Sequence, residues 1–458
     1  MPPDPRRAIR DPIHGLIPRH LDEIRLMNTT AFQRLRRIRQ LAMAHLVYPS
    51  AQHTRFEHSI GTMHLAGRVC QTLSAFGNID DERARLVRLA ALLHDIGHGP
   101  FSHVSEYLLD RLYDREVLGD VGPTEKIHEK VTASIILHDP EICAVLAEPD
   151  RQAIVSLLAE SGSRRFEHDI VSSSLDVDKM DYLLRDSYFA GVQYGQFDLE
   201  KIIDVCRVLR SGDESYLAFD HEGIYALEQL VLAKYHMSQQ VYYHRVRAIT
   251  DAMLVRGLSI AASNEVPPAA RLYAYDGTPD FVQRYLACHD DYIIVSLSMA
   301  EHPVVSEIFK RLLHRKLLKE VCFFPVDEID NSIQRDHLSR LKYESEDTRN
   351  LEGQVASHLN VAKELVIVTR QSIKNPTFTT PSYRLGEEEI LVLDRDDTPR
   401  KISEFADLTF NLNTRASSRE TVHVFAPMDS WNDPGTLDVE ARRSARQQIR
   451  ELVLSAVA

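Results

Sequence analysis

Apolar residues recur at helical spacing from about residue 21 to residue 260, and this pattern predicts a mainly α-helical body. One apolar series, with arginines on its other faces, recurs every three residues at Phe32, Leu35, Ile38 and Leu41. A capping-box pattern at Thr54 and Glu57 predicts a helix that runs to about Phe76. Further helices are predicted over residues 82–96, 130–138, 140–160, 172–190 and 224–262.

The pattern changes in the last third of the chain. Helical spacing persists over residues 280–320, whereas residues 365–368 and 390–393 are short apolar runs of the β type. Residues 438–456 again have the spacing of an amphipathic helix. We therefore predict a mainly α protein with a large helical domain, residues 1–345, and a smaller C-terminal α+β lobe, residues 346–458.

Composition and charge narrow the functional classes. Of the 458 residues, 44% are hydrophobic and 26% are charged, which excludes a disordered or fibrous chain. The net charge of −13 disfavours binding to an anionic membrane and makes nucleic acid only a secondary hypothesis for a partner. The five cysteines are widely spaced and contain no Cys-x-x-Cys motif, and the sequence has no signal-peptide core and no run of 18 apolar residues. These features predict a cytoplasmic protein.

The uneven distribution of histidine points to metal chemistry. Of the 21 histidines, 11 lie within the first 140 residues. His58 lies near the start of one predicted helix, His94 and Asp95 at the end of the next, and Asp178 near the start of a third. Two imidazoles and two carboxylates without sulfur suit Mn, Fe, Mg or Zn and leave positions for water and a phosphate oxygen. An isolated His-Asp pair is common in proteins, but this pair is followed by further histidines on a glycine-rich turn.

Four blocks of sequence carry a resemblance to a known family. They are RDPIHG at residues 10–15, RFEHSIG at 55–61, HDIGHGPFSH at 94–103 and LDVDKMDYLLRD at 175–186. Together they resemble the HD-domain deoxynucleoside triphosphate triphosphohydrolases, most closely the branch of the sterile-alpha-motif and HD-domain enzymes and their bacterial homologues. The resemblance extends over residues 9–260. It implies a multi-helical HD-domain fold and the hydrolysis of a dNTP to a deoxynucleoside and inorganic triphosphate.

The resemblance also implies roles for individual residues. The metal ligands would be His58, His94, Asp95 and Asp178. The catalytic residues would be His98, His128, His103 and Glu106, the last where relatives have Asp. The contacts to triphosphate and sugar would come from Gln40, Leu41, Arg55, Lys179, Tyr182, Asp186, Lys234, Tyr242 and Tyr243. Relatives usually carry Arg in place of Lys234, and many carry His or Tyr in place of Ser238.

A nucleotide activator and a homo-oligomer, either a dimer or a tetramer, are two further implications of the resemblance. The family's activator site falls on Asn28, Gln33 and Arg36, although the animal enzyme has Asp at the first of these positions. The four arginines at positions 34, 36, 37 and 39 either cradle phosphate near this site or form a solvated helix face. The sequence favours neither interpretation.

Helical spacing supports part of this assignment independently of the resemblance. In a helix over this segment, one side would carry Asp178, Asp181, Tyr182, Arg185 and Asp186. Such a polar stripe is expected of a helix that forms the wall of an active site. The alternative interpretation is a solvated helix face. Positions 234, 238 and 242 would likewise share a helix face, which predicts a Tyr242 ring under the deoxyribose unless this ring is simply part of the core.

Two other functions remain open at the level of sequence. One is an HD phosphohydrolase that acts on a different nucleotide, such as a monophosphate or a signalling nucleotide. The other is a regulator that retains the metal site and binds single-stranded nucleic acid weakly, which the net charge of −13 disfavours.

Overall fold

The computed structural model describes residues 4–119, 126–159, 164–373, 390–405, 419–432 and 439–457. By internal contacts the chain divides into two compact units. Unit 1 comprises residues 1–242, 271–291 and 376–415, and unit 2 comprises residues 243–270, 292–375 and 416–458. The predicted mainly α class with a strand-containing C-terminal part is confirmed. The predicted domain boundary between residues 345 and 346 stays a prediction.

Helices account for most of the described residues. They are α1 Leu21–Met27, α2 Thr30–Arg34, α3 Arg55–Ala75, α4 Asp81–Leu93, α5 His103–Leu112, α6 Arg115–Leu118, α7 Ile127–His138, α8 Pro140–Val145, α9 Glu148–Leu158, α10 Phe166–Val171, α11 Val177–Ala190, α12 Leu199–Asp204, α13 Ile224–Met237, α14 Arg245–Ser263, α15 Pro279–Leu286, α16 Asp290–Ser298, α17 Pro303–Leu313, α18 Ser332–Arg340, α19 Glu346–Leu359 and α20 Val439–Ala456. None of the described helices is both long and apolar enough to cross a membrane.

The described strands form three sheets. They are β1 Asp4–Asp11, β2 Gly15–Arg19, β3 Cys206–Ser211, β4 Glu214–Asp220, β5 Lys319–Pro325, β6 Ile367–Ile373, β7 Leu391–Leu393, β8 Pro399–Lys401 and β9 Arg419–Ala426. In unit 1, β1 and β2 form a hairpin, and a second sheet has the order β3-β4-β7-β8. In unit 2, β9 lies between β5 and β6 and is antiparallel to both.

Unit 2 has its own hydrophobic core, to which the sheet β5-β9-β6 and two helices contribute. Val321 of β5 and Val424 of β9 are fully buried together with Val355 of α19 and Ile449 of α20. The β-type runs predicted near residues 366 and 391 correspond to β6 and β7, and the predicted C-terminal helix is α20. These three predictions are therefore confirmed.

Helix α3 begins where the sequence predicts. The backbone N–H of Thr54 donates to Glu57 Oε2 at 3.0 Å, and the Thr54 side chain accepts in return, so the capping box forms. By contrast, the helix predicted around Phe32 is short, because α2 ends at Arg34 and a 3₁₀ turn follows over Leu35–Arg37. An apolar spacing of three residues matches the 3₁₀ helix better than the α-helix.

Two predicted helices are interrupted, and one hairpin lies within the predicted helical body, in a segment for which no individual helix was predicted. The 140–160 segment forms α8 and α9, and the 224–262 segment forms α13 and α14 with a π-helical turn over Ser238–Tyr242 between them. Strands β3 and β4 are joined by a short turn in which Gly212 has a φ of +60°. This glycine before Asp213 was the available signal, since only glycine adopts such a conformation freely.

Candidate functional site

Three helices of unit 1 bring the predicted metal ligands together. His58 is on α3, His94 and Asp95 follow α4, and Asp178 is in the first turn of α11. His58 Nε2 lies 2.9 Å from Asp178 Oδ1 and 3.6 Å from Asp95 Oδ2, and His94 Nε2 lies 3.2 Å from Asp95 Oδ1. Asp176 caps α11 by accepting from the backbone N–H of Lys179, which fixes where this helix starts. Ligand atoms from three separate elements thus converge.

The hydrogen bonds of the two imidazoles show that this donor set fits a divalent cation. His58 Nδ1 bonds Asp181 Oδ2 at 2.8 Å, and His94 Nδ1 bonds the carbonyl oxygen of Ala91 at 2.7 Å. With Nδ1 engaged in this way, Nε2 of each ring is directed at the carboxylates. Burial alone would lower the pKa of His58, but hydrogen bonds to Asp178 and Asp181 raise it to about 10. The carboxylates therefore favour a positive charge at this place, which a metal ion supplies.

A cavity of about 260 Å³ opens beside these ligands. Its lining includes the ligands His94, Asp95 and Asp178, the histidines His98 and His128, and the cations Lys126 and Lys179. Lys179 Nζ donates to Asp176 Oδ2 at 2.7 Å. A cavity lined by both metal ligands and cations suits a phosphorylated ligand.

The predicted catalytic residues form a connected group. His98 Nε2 lies 3.1 Å from Asp95 Oδ1, and its Nδ1 lies 3.1 Å from Glu106 Oε1. The same oxygen lies 2.9 Å from Nδ1 of His103, whose side chain is 66% exposed. The ring of His128 stacks on that of His98 at a centroid distance of 5.3 Å. The structure thus brings all four predicted residues together.

Electrostatics separate the roles of these histidines. Burial alone would raise the pKa of Glu106, but His103 and His98 hold it well below its usual range, so this carboxylate is ionised. Burial and the neighbouring His98 lower the pKa of His128 to about 3. His128 is therefore neutral at pH 7, while Glu106 favours a proton on His98.

The turn that carries His98 is held by residues that sequence analysis missed. Phe101 and Ser102 have φ of +64° and +52°, a conformation that only glycine adopts without strain. Arg34 Nη1 donates to the carbonyl oxygen of His98 at 2.8 Å, and Asp290 Oδ1 accepts from the backbone N–H of Phe101 at 2.9 Å. Tyr285 contributes a third bond, from its hydroxyl to the carbonyl oxygen of Gly97 at 3.0 Å. No local pattern connects positions this far apart in sequence.

The predicted triphosphate and sugar contacts are all buried or half-buried. Arg55 Nη1 donates to Asp95 Oδ2 at 2.5 Å, so its charge lies against a predicted metal ligand. Asp186 accepts from the Tyr242 hydroxyl at 2.7 Å, and the rings of Tyr182 and Tyr242 lie 6.1 Å apart. The remaining predicted contacts are the buried Gln40 and Leu41, the half-buried Lys234, and Tyr243, which belongs to unit 2.

The shared α-helical face predicted for positions 234, 238 and 242 is wrong. Residues Ser238–Tyr242 form a π-helical turn, and a π turn holds more residues than an α turn, so spacing by four does not keep one face. Tyr242 nevertheless reaches Asp186, which also bonds His53 Nε2 at 2.7 Å. Sequence analysis missed His53, although it lies directly before the Thr54 capping box.

The polar stripe of α11 is neither a solvated face nor simply a pocket wall. Asp181 and Arg185 are completely buried and pair with each other behind His58. Only Asp178 and Lys179 of this helix segment line the cavity. Sequence analysis placed Asp181 on the stripe but did not identify it as the hydrogen-bond partner of a metal ligand.

Two residues of the predicted activator site, Gln33 and Arg36, contact each other. Gln33 Nε2 donates to the carbonyl oxygen of Met27 at 2.6 Å and its Oε1 accepts from Arg36 Nε at 2.9 Å, while Asn28 is the C-cap of α1. The Arg36 guanidinium lies 3.5 Å from the ring centroid of Phe56. Arg34 points inward, whereas Arg39 pairs with Asp291 at 2.9 Å. The neighbouring arginines thus do not form one solvated face.

Unit 2 contains a second cation-lined cavity, which sequence analysis did not anticipate. It measures about 220 Å³ and lies where α14, the α17–β5 connection and α20 meet within unit 2. Its lining includes the cations Arg245, Arg315, Lys319, Arg442 and Arg446 together with Trp431. Cations beside an indole suit an anionic ligand with an aromatic group.

Comparisons with known proteins agree with this architecture. The HD domain family matches residues 55–186, and the HD associated region matches residues 197–433. An uncharacterized Bacillus subtilis protein, YwfO, is 32% identical over 346 residues, which cover 70% of this chain and 73% of that protein. A crystal structure of a phosphohydrolase from Bacteroides thetaiotaomicron superposes with a TM-score of 0.68 at 26% identity, covering 92% of this chain and 99% of that one.

Relatives named as deoxynucleoside triphosphate triphosphohydrolases are covered over a smaller share of their own length. The human deoxynucleoside triphosphate triphosphohydrolase SAMHD1 is 27% identical over 390 residues, which cover 77% of this chain and 59% of that protein. The homologue from Dictyostelium discoideum is 32% identical over 262 residues, which cover 54% of this chain and 48% of that protein. The chain thus matches about half the length of these two relatives.

The half-buried, neutral His128 should make the folded protein sensitive to acid. Its pKa of about 3 in the folded chain lies below the ordinary 6.5, so its stabilising contribution is present above pH 6.5 and is lost as the pH falls. Between pH 7.5 and pH 5 this loss amounts to about 2 kcal/mol. We expect His128→Gln to lose correspondingly less free energy of unfolding over this interval, measured by urea denaturation.

His138→Gln is the matched control, since His138 is exposed at the other end of α7. It should retain the wild-type pH dependence. An equal pH dependence of unfolding in wild type and His128→Gln would contradict the assignment of a neutral His128.

Proposed function

We infer that this chain is a metal-dependent phosphohydrolase acting on deoxynucleoside triphosphates, because it belongs to the HD-domain family that carries an HD associated region. The observation that carries the proposal is one cavity lined by the ligands His94, Asp95 and Asp178, by His98 and by Lys179. The relatives named as deoxynucleoside triphosphate triphosphohydrolases support the choice of substrate.

A divalent ion at His58, His94, Asp95 and Asp178 would neutralise phosphate charge and supply a nucleophilic water at neutral pH. Attack of water on the α-phosphorus would break the bond to the 5′-oxygen and would release inorganic triphosphate and a deoxynucleoside. His98 donates the proton to the leaving 5′-oxygen, because two carboxylates adjoin its ring.

Further residues in this proposal prepare His98 and hold the substrate. Glu106 fixes the His98 ring and links it to the exposed His103, from which solvent restores the proton. Neutral His128 stacks on His98 and limits rotation of its ring. Lys179 contributes positive charge toward the triphosphate. Deoxyribose lies against Tyr242 and Asp186 in this proposal, with the 3′-hydroxyl bonded to the carboxylate.

The proposal includes a homo-oligomer and a nucleotide activator. Arg36, held by Gln33 and Phe56, offers a preoriented guanidinium near Asn28 for such a nucleotide. The cation-lined cavity of unit 2, with its indole, offers a second place with the same chemistry. Two alternative functions, a phosphohydrolase for another nucleotide and a metal-retaining regulator that binds single-stranded nucleic acid, lack an observation of this strength.

The reaction products test the proposal. Incubation with each dNTP and Mn²⁺ or Mg²⁺ should yield tripolyphosphate and the deoxynucleoside in equal amounts, resolved by ion-exchange and reversed-phase chromatography. Asp178→Asn should lose this activity because it removes a ligand charge, whereas Asp204→Asn, at a side chain that is 71% exposed, should retain it.

Release of pyrophosphate or orthophosphate from dNTPs would contradict the proposed bond cleavage. Activity on monophosphates or signalling nucleotides alone would favour the first alternative. Salt-dependent binding of single-stranded DNA without hydrolysis would favour the second.

Sugar selectivity tests the placement of Tyr242. Its ring lies against Tyr182 while its hydroxyl bonds Asp186, which leaves no room for a 2′-hydroxyl if deoxyribose lies on this ring. Tyr242→Ala should raise the GTP-to-dGTP ratio of kcat/KM by about 10- to 200-fold. Tyr242→Phe keeps the ring and should keep the selectivity, and Lys234→Ala should lower activity on both nucleotides. An unchanged ratio in Tyr242→Ala would show that the ring belongs only to the core.

A further inference from the structure

The N-terminal hairpin contains a sequence block, residues 10–15, to which the proposed reaction assigns no role. In the turn between β1 and β2, Asp11 Oδ1 accepts from the backbone N–H groups of Ile13 at 2.8 Å and His14 at 2.9 Å. Gly15 closes the turn at a φ of +74°, which favours glycine. These bonds hold the side chains of Asp11 and His14 in a fixed relation to each other.

Both side chains reach one buried ion pair on α11. His14 Nε2 lies 2.6 Å from Asp181 Oδ1, and Asp11 Oδ2 accepts from Arg185 Nη1 at 2.7 Å. Arg185 donates two further hydrogen bonds to Asp181, at 2.8 and 2.9 Å. The side chains of His14, Asp181 and Arg185 are at most 2% exposed.

Asp181 also bonds the metal-site residue His58. Its Oδ2 lies 2.8 Å from His58 Nδ1, so the carboxylate determines which ring nitrogen faces Asp95 and Asp178. A carboxylate partner of this kind fixes the tautomer and the orientation of a metal-binding imidazole, and its loss typically costs 10- to 100-fold in metal affinity.

A structural role alone does not account for these contacts. Buried ion pairs rarely stabilise a fold more than apolar residues of equal volume. The hairpin could dock on α11 through apolar contacts, yet it carries a hydrogen-bond donor to the carboxylate that bonds Nδ1 of His58. His14 occupies Oδ1 of Asp181, and Oδ2 remains directed at His58.

We propose that His14 is a positioning residue of the metal site, which fixes the Asp181 carboxylate and through it the ring of His58. This inference rests on the metal site of the proposed function and adds the N-terminal hairpin to that site. The hairpin thereby makes metal affinity depend on a segment that precedes the HD domain in sequence.

Metal binding in the absence of nucleotide tests this role. The metal-free full chain is titrated with Mn²⁺ while free Mn²⁺ is followed by electron paramagnetic resonance. We expect His14→Ala to raise the Kd for Mn²⁺ about tenfold or more, and His14→Gln, whose amide can still donate to Asp181, to stay within about threefold of wild type. His64→Ala is the matched control, since the His64 ring lies 5.5 Å from that of His14.

A double-mutant cycle shows whether His14 acts through Asp181. In an Asp181→Asn background, His14→Ala should weaken Mn²⁺ binding no further, because the carboxylate that it positions is gone. If His14→Ala does not fold, His14→Asn replaces it: its shorter side chain should fail to reach Asp181 and should bind Mn²⁺ about tenfold more weakly than His14→Gln.

Three results would overturn the inference. Mn²⁺ affinity of His14→Ala within twofold of wild type, or equal to that of His14→Gln, would leave the hairpin with a structural role only. Additive effects of His14→Ala and Asp181→Asn would exclude action through the carboxylate. Wild-type protein that binds no Mn²⁺ would instead overturn the metal site of the proposed function itself.

Discussion

The buried carboxylate of Asp181 is the constraint on which the arrangement of unit 1 depends. It is completely desolvated and is stabilised by hydrogen bonds from Arg185, His14 and His58. Removing one partner of such a buried charge costs about 3–5 kcal/mol, so these side chains hold one another in place. A Cβ on Gly61 would overlap Asp181, so this helical position of α3 must remain glycine for α11 to pack as it does.

A second constraint is the strained turn that presents His98. Positive φ at Phe101 and Ser102 persists because Asp290 and Arg34 bind the backbone of this turn from elements distant in sequence. The metal ligands are held by side chains close behind them, whereas the turn with His98 is held through its own backbone. The chemistry of the cavity therefore depends on the HD associated region, which contributes Asp290, as well as on the HD domain.

The sequence predicts features that local residues determine. The Thr54 capping box locates the start of α3, and the histidine and aspartate blocks identify the side chains that converge in the structure. The series at Phe32 has the spacing of a 3₁₀ turn, but a helical period read over few residues does not distinguish it from an α-helix. No sequence pattern that we recognise predicts the π turn at Ser238–Tyr242.

Long-range contacts account for the rest of what sequence analysis missed. The residue type of Asp290 does not indicate that its side chain accepts a hydrogen bond from the backbone of Phe101. From sequence alone Arg34 is expected at the surface, whereas in the structure it donates to the carbonyl oxygens of His98 and Cys288. Asp181 lies on the predicted polar stripe, yet which of its neighbours it faces depends on how α3 and α11 pack.

The central claim is that a divalent ion binds between His58, His94, Asp95 and Asp178. Anomalous diffraction at the manganese edge, from crystals of the full chain grown with Mn²⁺, tests it most directly. The account predicts an anomalous peak within bonding distance of Nε2 of both histidines and an oxygen of each carboxylate. A peak instead among His98, Glu106 and His128, whose ligand atoms lie within 4.8 Å of one another, or no peak at all, would contradict it.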